Sequence, residues 1–164
     1  MNMMKIFSIV GILVLTGCAH VISKEALQDV DQDLSFGEIL ENPEAYTGKS
    51  VLLGGNIIET LTLPDKTLIL VLQRPLGFRK RPATDGASEG RFIVESSGFL
   101  DPAIYSEGRK VTVVGSIQGK EVRPLGKTTY AYPVIAGKEI YLWPREEPAA
   151  PPRFYFGFGF GTSF

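Results

Sequence analysis

The chain has one cysteine, one histidine and one tryptophan in 164 residues, and its three methionines all fall within the first four positions. A single thiol excludes intramolecular disulfides and cysteine-based metal sites of the ordinary type, which need at least two sulfurs. A lone histidine, His20, leaves neither a zinc site nor a catalytic triad anything to be built from beyond the N-terminal edge of the chain. Charge of one sign is missing too. With 17 Lys+Arg against 18 Asp+Glu the formal net charge is -1, so no global field draws the protein to nucleic acid. At 44% hydrophobic and 21% charged residues, the composition argues against both a disordered chain and a multi-span membrane protein.

What is present begins at the N-terminus. Lys5 precedes the apolar run Ile6 to Leu15, followed by Thr16-Gly17-Cys18. Ten apolar residues are too few to cross a hydrocarbon core of roughly 30 Å as a helix, whereas a basic start, a short apolar run and a small residue before the cut form an export signal. Leu15-Thr16-Gly17-Cys18 resembles the bacterial lipobox, which implies cleavage before Cys18 and acylation of its thiol. Several acyl chains at about 0.8 kcal/mol per buried CH₂ anchor far more firmly than one. Ala19 stands where such lipoproteins carry Asp for inner-membrane retention, so the resemblance implies the outer membrane. The expected product is lipid-anchored and faces the periplasm.

The chain then divides into a signal peptide (1–17), an acidic tether (18–34), a β domain (35–144) and a C-terminal linker and tail (145–164). Ala19 to Asp33 is polar with little periodicity, as a tether would be. Ser35 and Glu38 have capping-box spacing and predict a short helix from Phe36 to Leu40. Strands are expected at Ser50–Leu61, Thr67–Gln73, Arg91–Ser96, Lys110–Gln118 and Tyr132–Trp143, the first two joined around Pro64-Asp65-Lys66. The connection Arg74 to Gly90 reads as turn-rich and mobile.

One segment recurs. Asn42-Pro43-Glu44-Ala45-Tyr46-Thr47-Gly48 and Asp101-Pro102-Ala103-Ile104-Tyr105-Ser106-Glu107-Gly108 each precede a strand with an internal glycine, Gly55 or Gly115. Asn or Asp caps a helical turn, Pro fits its first position, and Gly supplies the left-handed residue that ends it. Glycine within a strand marks a bulge or a tight barrel bend. Five strands, two bent at glycine, with a short helix between the third and fourth, predict a mainly β fold: a five-stranded OB-like Greek-key barrel with one or two short helices. A β-sandwich is the alternative.

Past Trp143, Pro144 to Pro152 is a stiff linker, and Phe154 to Phe164 holds six of the 17 aromatics. Phe154, Phe156, Phe158 and Phe160 alternate with Tyr155, Gly157 and Gly159, so an extended tail would place all four Phe on one face. That face is a candidate docking surface for another envelope protein.

Gly90 to Gln118, with Gly98-Phe99-Leu100-Asp101-Pro102 and Val113-Val114-Gly115-Ser116-Ile117, resembles the Slp family of outer-membrane lipoproteins, as do Gly54-Gly55-Asn56-Ile57, the lipobox and the aromatic end. The resemblance spans most of the mature chain. It implies a lipid-anchored domain at the outer membrane, of the starvation-inducible type, and supplies no catalytic residues.

The densest charge is Arg74, Arg79, Lys80 and Arg81, with Phe78 among them. In a cytosolic OB-like barrel this would suggest single-stranded nucleic acid, but export argues against that partner. A phosphate-bearing envelope glycan is the candidate ligand, against a plain solvated turn. Carboxylates at Glu59, Glu95, Asp101, Glu121 and Glu139 would serve an envelope glycosidase only if two converged. Ser97-Gly98 lacks a nucleophile elbow and Gly54-Gly55 runs into a strand, so neither acyl transfer nor a phosphate loop is indicated. The expectation is a non-enzymatic binding or scaffolding role in envelope integrity or stress, without metal or cofactor, the alternative being an envelope enzyme acting on glycan.

Overall fold

The computed structural model describes residues 21–145. Cys18 and the tail residues Phe154, Phe156, Phe158 and Phe160 lie outside them. Two short helices, α1 (Lys24–Gln28) and α2 (Phe36–Glu41), and a 3₁₀ turn (Pro43–Tyr46) precede five strands. These are β1 (Ser50–Thr62), β2 (Thr67–Gln73), β3 (Arg91–Ser96), β4 (Lys110–Leu125) and β5 (Thr128–Leu142).

The strands close into a barrel in the order β1-β2-β3-β5-β4, with β4 returning to β1. All neighbours are antiparallel except β3 and β5. That order and that single parallel seam are the OB-type Greek key, so the predicted fold class holds and the sandwich is set aside. Leu53, Ile57, Ile69, Val71, Phe92, Val94, Val111, Val113, Ile117 and Ile135 fill the interior. Each such side chain taken from water contributes about 1.5–3 kcal/mol. Gly55 and Gly115 share the inward parity of Leu53 and Ile57 in β1 and of Val113 and Ile117 in β4. A Cβ on Gly55 would run into the Leu72 carbonyl, and one on Gly115 into the Ala136 carbonyl. The β4–β5 pairing shifts register at Val114/Gly115, as expected for a bent strand.

One barrel mouth is plugged from before β1. Ser35 caps α2 with a full capping box, and Phe36 meets Phe92 at 5.8 Å between ring centroids. No helix lies between β3 and β4, contrary to expectation. Asp101 to Tyr105 makes one turn only, with Tyr105 N–H donating to Asp101 O at 2.9 Å. Gly108 at φ +80 then reverses the chain before a second helical turn can form, as Gly48 does at φ +86.

The described part of the supposed tether is not free either. Ile22 and Ala26 are buried against Val114 on the outside of the barrel. Ser23 N–H donates to both carboxylate oxygens of Glu139 at 3.1 Å, and Ser23 Oγ donates to Oε2 at 2.8 Å. Two apolar residues four apart are enough to dock a single helical turn, a signal too short to register as periodicity.

Candidate functional site

The outer face of β1, β4 and β5 is covered in two adjoining rows. In the first, α1 lies over Leu52 and Val114, with Glu139 holding Ser23. In the second, Gly54, Thr112 and Tyr141 align across the strands, and the segment after β2 folds back over them. Gly54 has no side chain because Leu76 and Pro82 occupy its place.

That segment, expected to be mobile, is pinned instead. Arg74 N–H donates to Gly54 O, Ala83 N–H to Pro75 O and Gly77 N–H to Arg81 O, all at 2.8–2.9 Å. Leu76 and Pro82 form a bridge. At the apex, Arg81 N–H donates to Phe78 O at 3.2 Å across Arg79 and Lys80, whose φ values are +56 and +62. Two successive left-handed residues are the signature of a type I′ turn, normally Asn-Gly. For side chains such as Arg and Lys the left-handed conformation costs about 1–2 kcal/mol each. The surroundings hold it: the buried Thr112 hydroxyl donates to Lys80 O at 2.7 Å and accepts from Trp143 Nε1 at 2.9 Å, while the Arg81 guanidinium lies 5.1 Å from the Trp143 ring centroid. Tyr141 meets Trp143 edge-on.

The four predicted cations are therefore drawn into one arch but not to one point. Arg74 sits at its base and donates to Gly86 O at 2.6 Å, while Arg79 and Lys80 project from its exposed tip and Arg81 lies along Trp143. Phe78 stands beside them, 89% exposed. Lys110 donates to Thr84 at 2.7 Å on the arch's trailing limb. The Trp143–Thr112–Lys80 chain that fixes the turn carries no local sequence signal, since its members are brought together only by the barrel.

Four of the five candidate acids have a partner of another kind, while Glu59 lies near enough to Arg123 to act on its charge. Glu95 binds Lys66 at 2.8 Å, Glu121 binds Arg123 at 2.7 Å, Glu139 is taken by Ser23, and Asp101 accepts from Ala103 N–H. The Arg123 guanidinium holds the Glu121 carboxyl below its usual range, the opposite of what a general acid needs. Among the described residues no cluster of His, Cys, Asp and Glu could hold a metal ion.

Two further surfaces lie away from the arch. A cleft of about 350 Å³ is lined by Ser106, Glu107, Gly108, Arg109, Lys110, Pro144 and Arg145. Arg109 spans it, donating to Ile104 O and to Trp143 O at 3.0 and 2.7 Å. The other is the outer face of β2, β3 and β5, where the Tyr130 and Tyr132 rings meet at a tilt, 4.6 Å between centroids, beside Leu68 and Ile93.

The model of the outer membrane lipoprotein Slp family matches residues 15–160. Outer membrane protein Slp of Escherichia coli (strain K12) is 26% identical over 164 residues, covering 99% of this chain and 87% of that protein. The uncharacterized lipoprotein YeaY of the same strain is 31% identical over 155 residues, 90% of this chain and 79% of that protein. An uncharacterized protein of Haemophilus influenzae is 36% identical over 110 residues, and that match spans only 60% of its length. Among solved structures, the small single-stranded DNA-binding protein from Streptomyces coelicolor is similar at a TM-score of 0.40 and 16% identity, covering 58% of this chain and 94% of that one. Mitochondrial single-stranded DNA binding protein Rim1 of S. cerevisiae follows at 0.39 and 15%, covering 61% and 99%.

Proposed function

The chain belongs to the Slp family of outer membrane lipoproteins, and on that premise we propose that it is a non-catalytic binding module, anchored through an acylated Cys18 and facing the periplasm. Its ligand is an anionic, phosphate-bearing component of the envelope, bound by the arch that carries Arg74, Arg79, Lys80 and Arg81. The observation that carries this reading is the type I′ turn at Arg79-Lys80. Strained backbone at two adjacent exposed cations, held by a buried Trp143–Thr112–Lys80 chain, is the mark of a feature kept for recognition rather than for stability. The ion pairs that occupy Glu95 and Glu121, with the Glu121 carboxyl held below its usual range by Arg123, support binding over glycan hydrolysis. The aromatic tail, with Phe154, Phe156, Phe158 and Phe160, is a second docking element, for another envelope protein.

The test is photocrosslinking in intact cells from a benzophenone amino acid placed at Phe78. A phosphate-bearing envelope adduct is expected, reduced at least about fivefold when Arg79, Lys80 and Arg81 are changed to Ala, with membrane association unchanged. Cys18→Ser is expected to abolish both processing and membrane association. An adduct indifferent to the three substitutions defeats the ligand reading, and a processed, membrane-bound Cys18→Ser protein defeats the anchor.

A further inference from the structure

We infer that the Phe78–Arg81 turn and the N-terminal segment form one membrane-facing surface, and that the turn rests on the anionic lipid leaflet in which the Cys18 acyl chains are held. This rests on the lipidation proposed above and narrows the anionic ligand to phosphate head groups in a bilayer.

The first observation is the length of free chain. Val21 already packs with the Ile22, Ala26 and Val114 cluster, so only three peptide steps separate Cys18 from the barrel. Fully extended they span about 11 Å. A domain fastened that closely cannot hang away from the bilayer, and the face bearing α1 must lie near it. The second observation is where the turn sits. Val114 underlies α1, and Thr112, two residues earlier on the same outer face of β4, holds the Lys80 carbonyl. Two residues along a strand are about 7 Å, so anchor and turn occupy neighbouring rows of one surface.

The third is chemistry. On the anchor side charge is mixed: Lys24 stands beside Glu25, Asp29 lies 3.5 Å from Lys138, Asp31 binds Lys49 at 2.7 Å and Glu139 is held by Ser23. The turn itself carries three successive cations, Arg79, Lys80 and Arg81. Phe78 at their side is 89% exposed, and a phenyl ring in water gains only by leaving it. An aromatic ring at the head-group boundary, with cations over the phosphates, is the arrangement that interfacial segments use.

The mature lipidated protein offers a clean reporter, because its one cysteine is the acylated one and Phe78→Cys is then the only free thiol. That thiol is labelled with a polarity-sensitive fluorophore and the protein is inserted through its anchor into vesicles of phosphatidylethanolamine, with or without phosphatidylglycerol. Brominated acyl chains are expected to quench the label at least about twofold in the anionic vesicles. Arg79→Glu/Lys80→Glu should abolish the quenching. A label at Lys127→Cys, in the turn at the far end of the β4–β5 hairpin, should stay unquenched throughout. A position-78 label that remains in water while the protein floats with the vesicles overturns the inference, as does equal quenching at positions 78 and 127 or with phosphatidylethanolamine alone. An unquenched label with the cellular adduct retained leaves the ligand reading standing and overturns only this one. A protein that neither floats nor carries acyl mass overturns both this inference and the anchor.

Discussion

Thr112 is a polar side chain with no exposure to solvent, and its hydroxyl serves two partners at once, Lys80 O and Trp143 Nε1. Replacing it with Val preserves shape and removes both bonds, leaving a buried indole N–H and a strained turn without its hold. Each unmet buried group costs about 1–3 kcal/mol. Thr112→Val is therefore expected to destabilise the domain by about 2–3 kcal/mol and to loosen the 78–81 turn. Urea unfolding followed by the fluorescence of Trp143, the single tryptophan, measures the first effect directly. A loss below about 0.5 kcal/mol would mean that the turn holds its conformation unaided. At this scale the sequence was legible where one residue type has one physical use. Gly48 and Gly108 were expected to be left-handed and are, and Gly115 was expected at a bend and lies at a register shift, whereas Gly55 answers to the close approach of the Leu72 carbonyl, the shift in β1 falling at Ile57/Glu59. It was not legible where a role depends on partners distant along the chain: nothing around Thr112 announces a buried hydroxyl, and Arg79-Lys80 is a dipeptide no turn rule would select.

α1 is one helical turn of five residues, too short to persist alone, so its stability is that of its docking through Ile22, Ala26 and the Ser23–Glu139 bonds. Truncating Ile22 to Ala removes apolar contact worth about 2 kcal/mol or more. Amide hydrogen exchange in residues 21–30 is expected to accelerate at least about tenfold, with the barrel strands keeping their protection. Equal loss of protection in β1 and β4 would instead make α1 part of the barrel's cooperative unit. Elements were read well where apolar alternation meets turn chemistry: β2 and β3 have the expected bounds, and β1 runs one residue further. The β4–β5 ribbon outruns the expected Lys110–Gln118 and Tyr132–Trp143, continuing through Lys120, Glu121, Arg123 and Pro124 to a two-residue turn at Gly126-Lys127. Those residues lie largely exposed, Val122 at 58%, and are held by cross-strand backbone pairing rather than by a core. Without one face buried, no alternation is written into the sequence.

The molecule as a whole closes on itself within residues 21–145. The central cluster is drawn from α2 and all five strands, the mouth is plugged by Phe36, and the two outer-face rows are covered by α1 and the arch. The narrowest seam is the parallel β3–β5 contact, three residue pairs from Ile93↔Val134 to Glu95↔Ala136, and it too is complete. Arg109 fastens the end of β5 by donating to Trp143 O, so the last turn of the barrel is fixed before the proline-rich segment starts. The domain should therefore not depend on the aromatic tail for its stability. A mature chain ending at Ala150, which keeps Trp143 well clear of the new carboxylate, is expected to unfold at the same urea concentration as the full mature chain, within about 0.5 kcal/mol. Coincident transitions in Trp143 fluorescence and far-UV circular dichroism would show that one cooperative unit remains. A midpoint lowered by more than 1 kcal/mol or so would place the tail against the barrel, with the cleft at Arg109 and Arg145 as its seat. An unchanged midpoint leaves the four phenylalanines available to a partner, because a segment that contributes nothing to its own domain's stability can be withdrawn into a complex without cost to the fold.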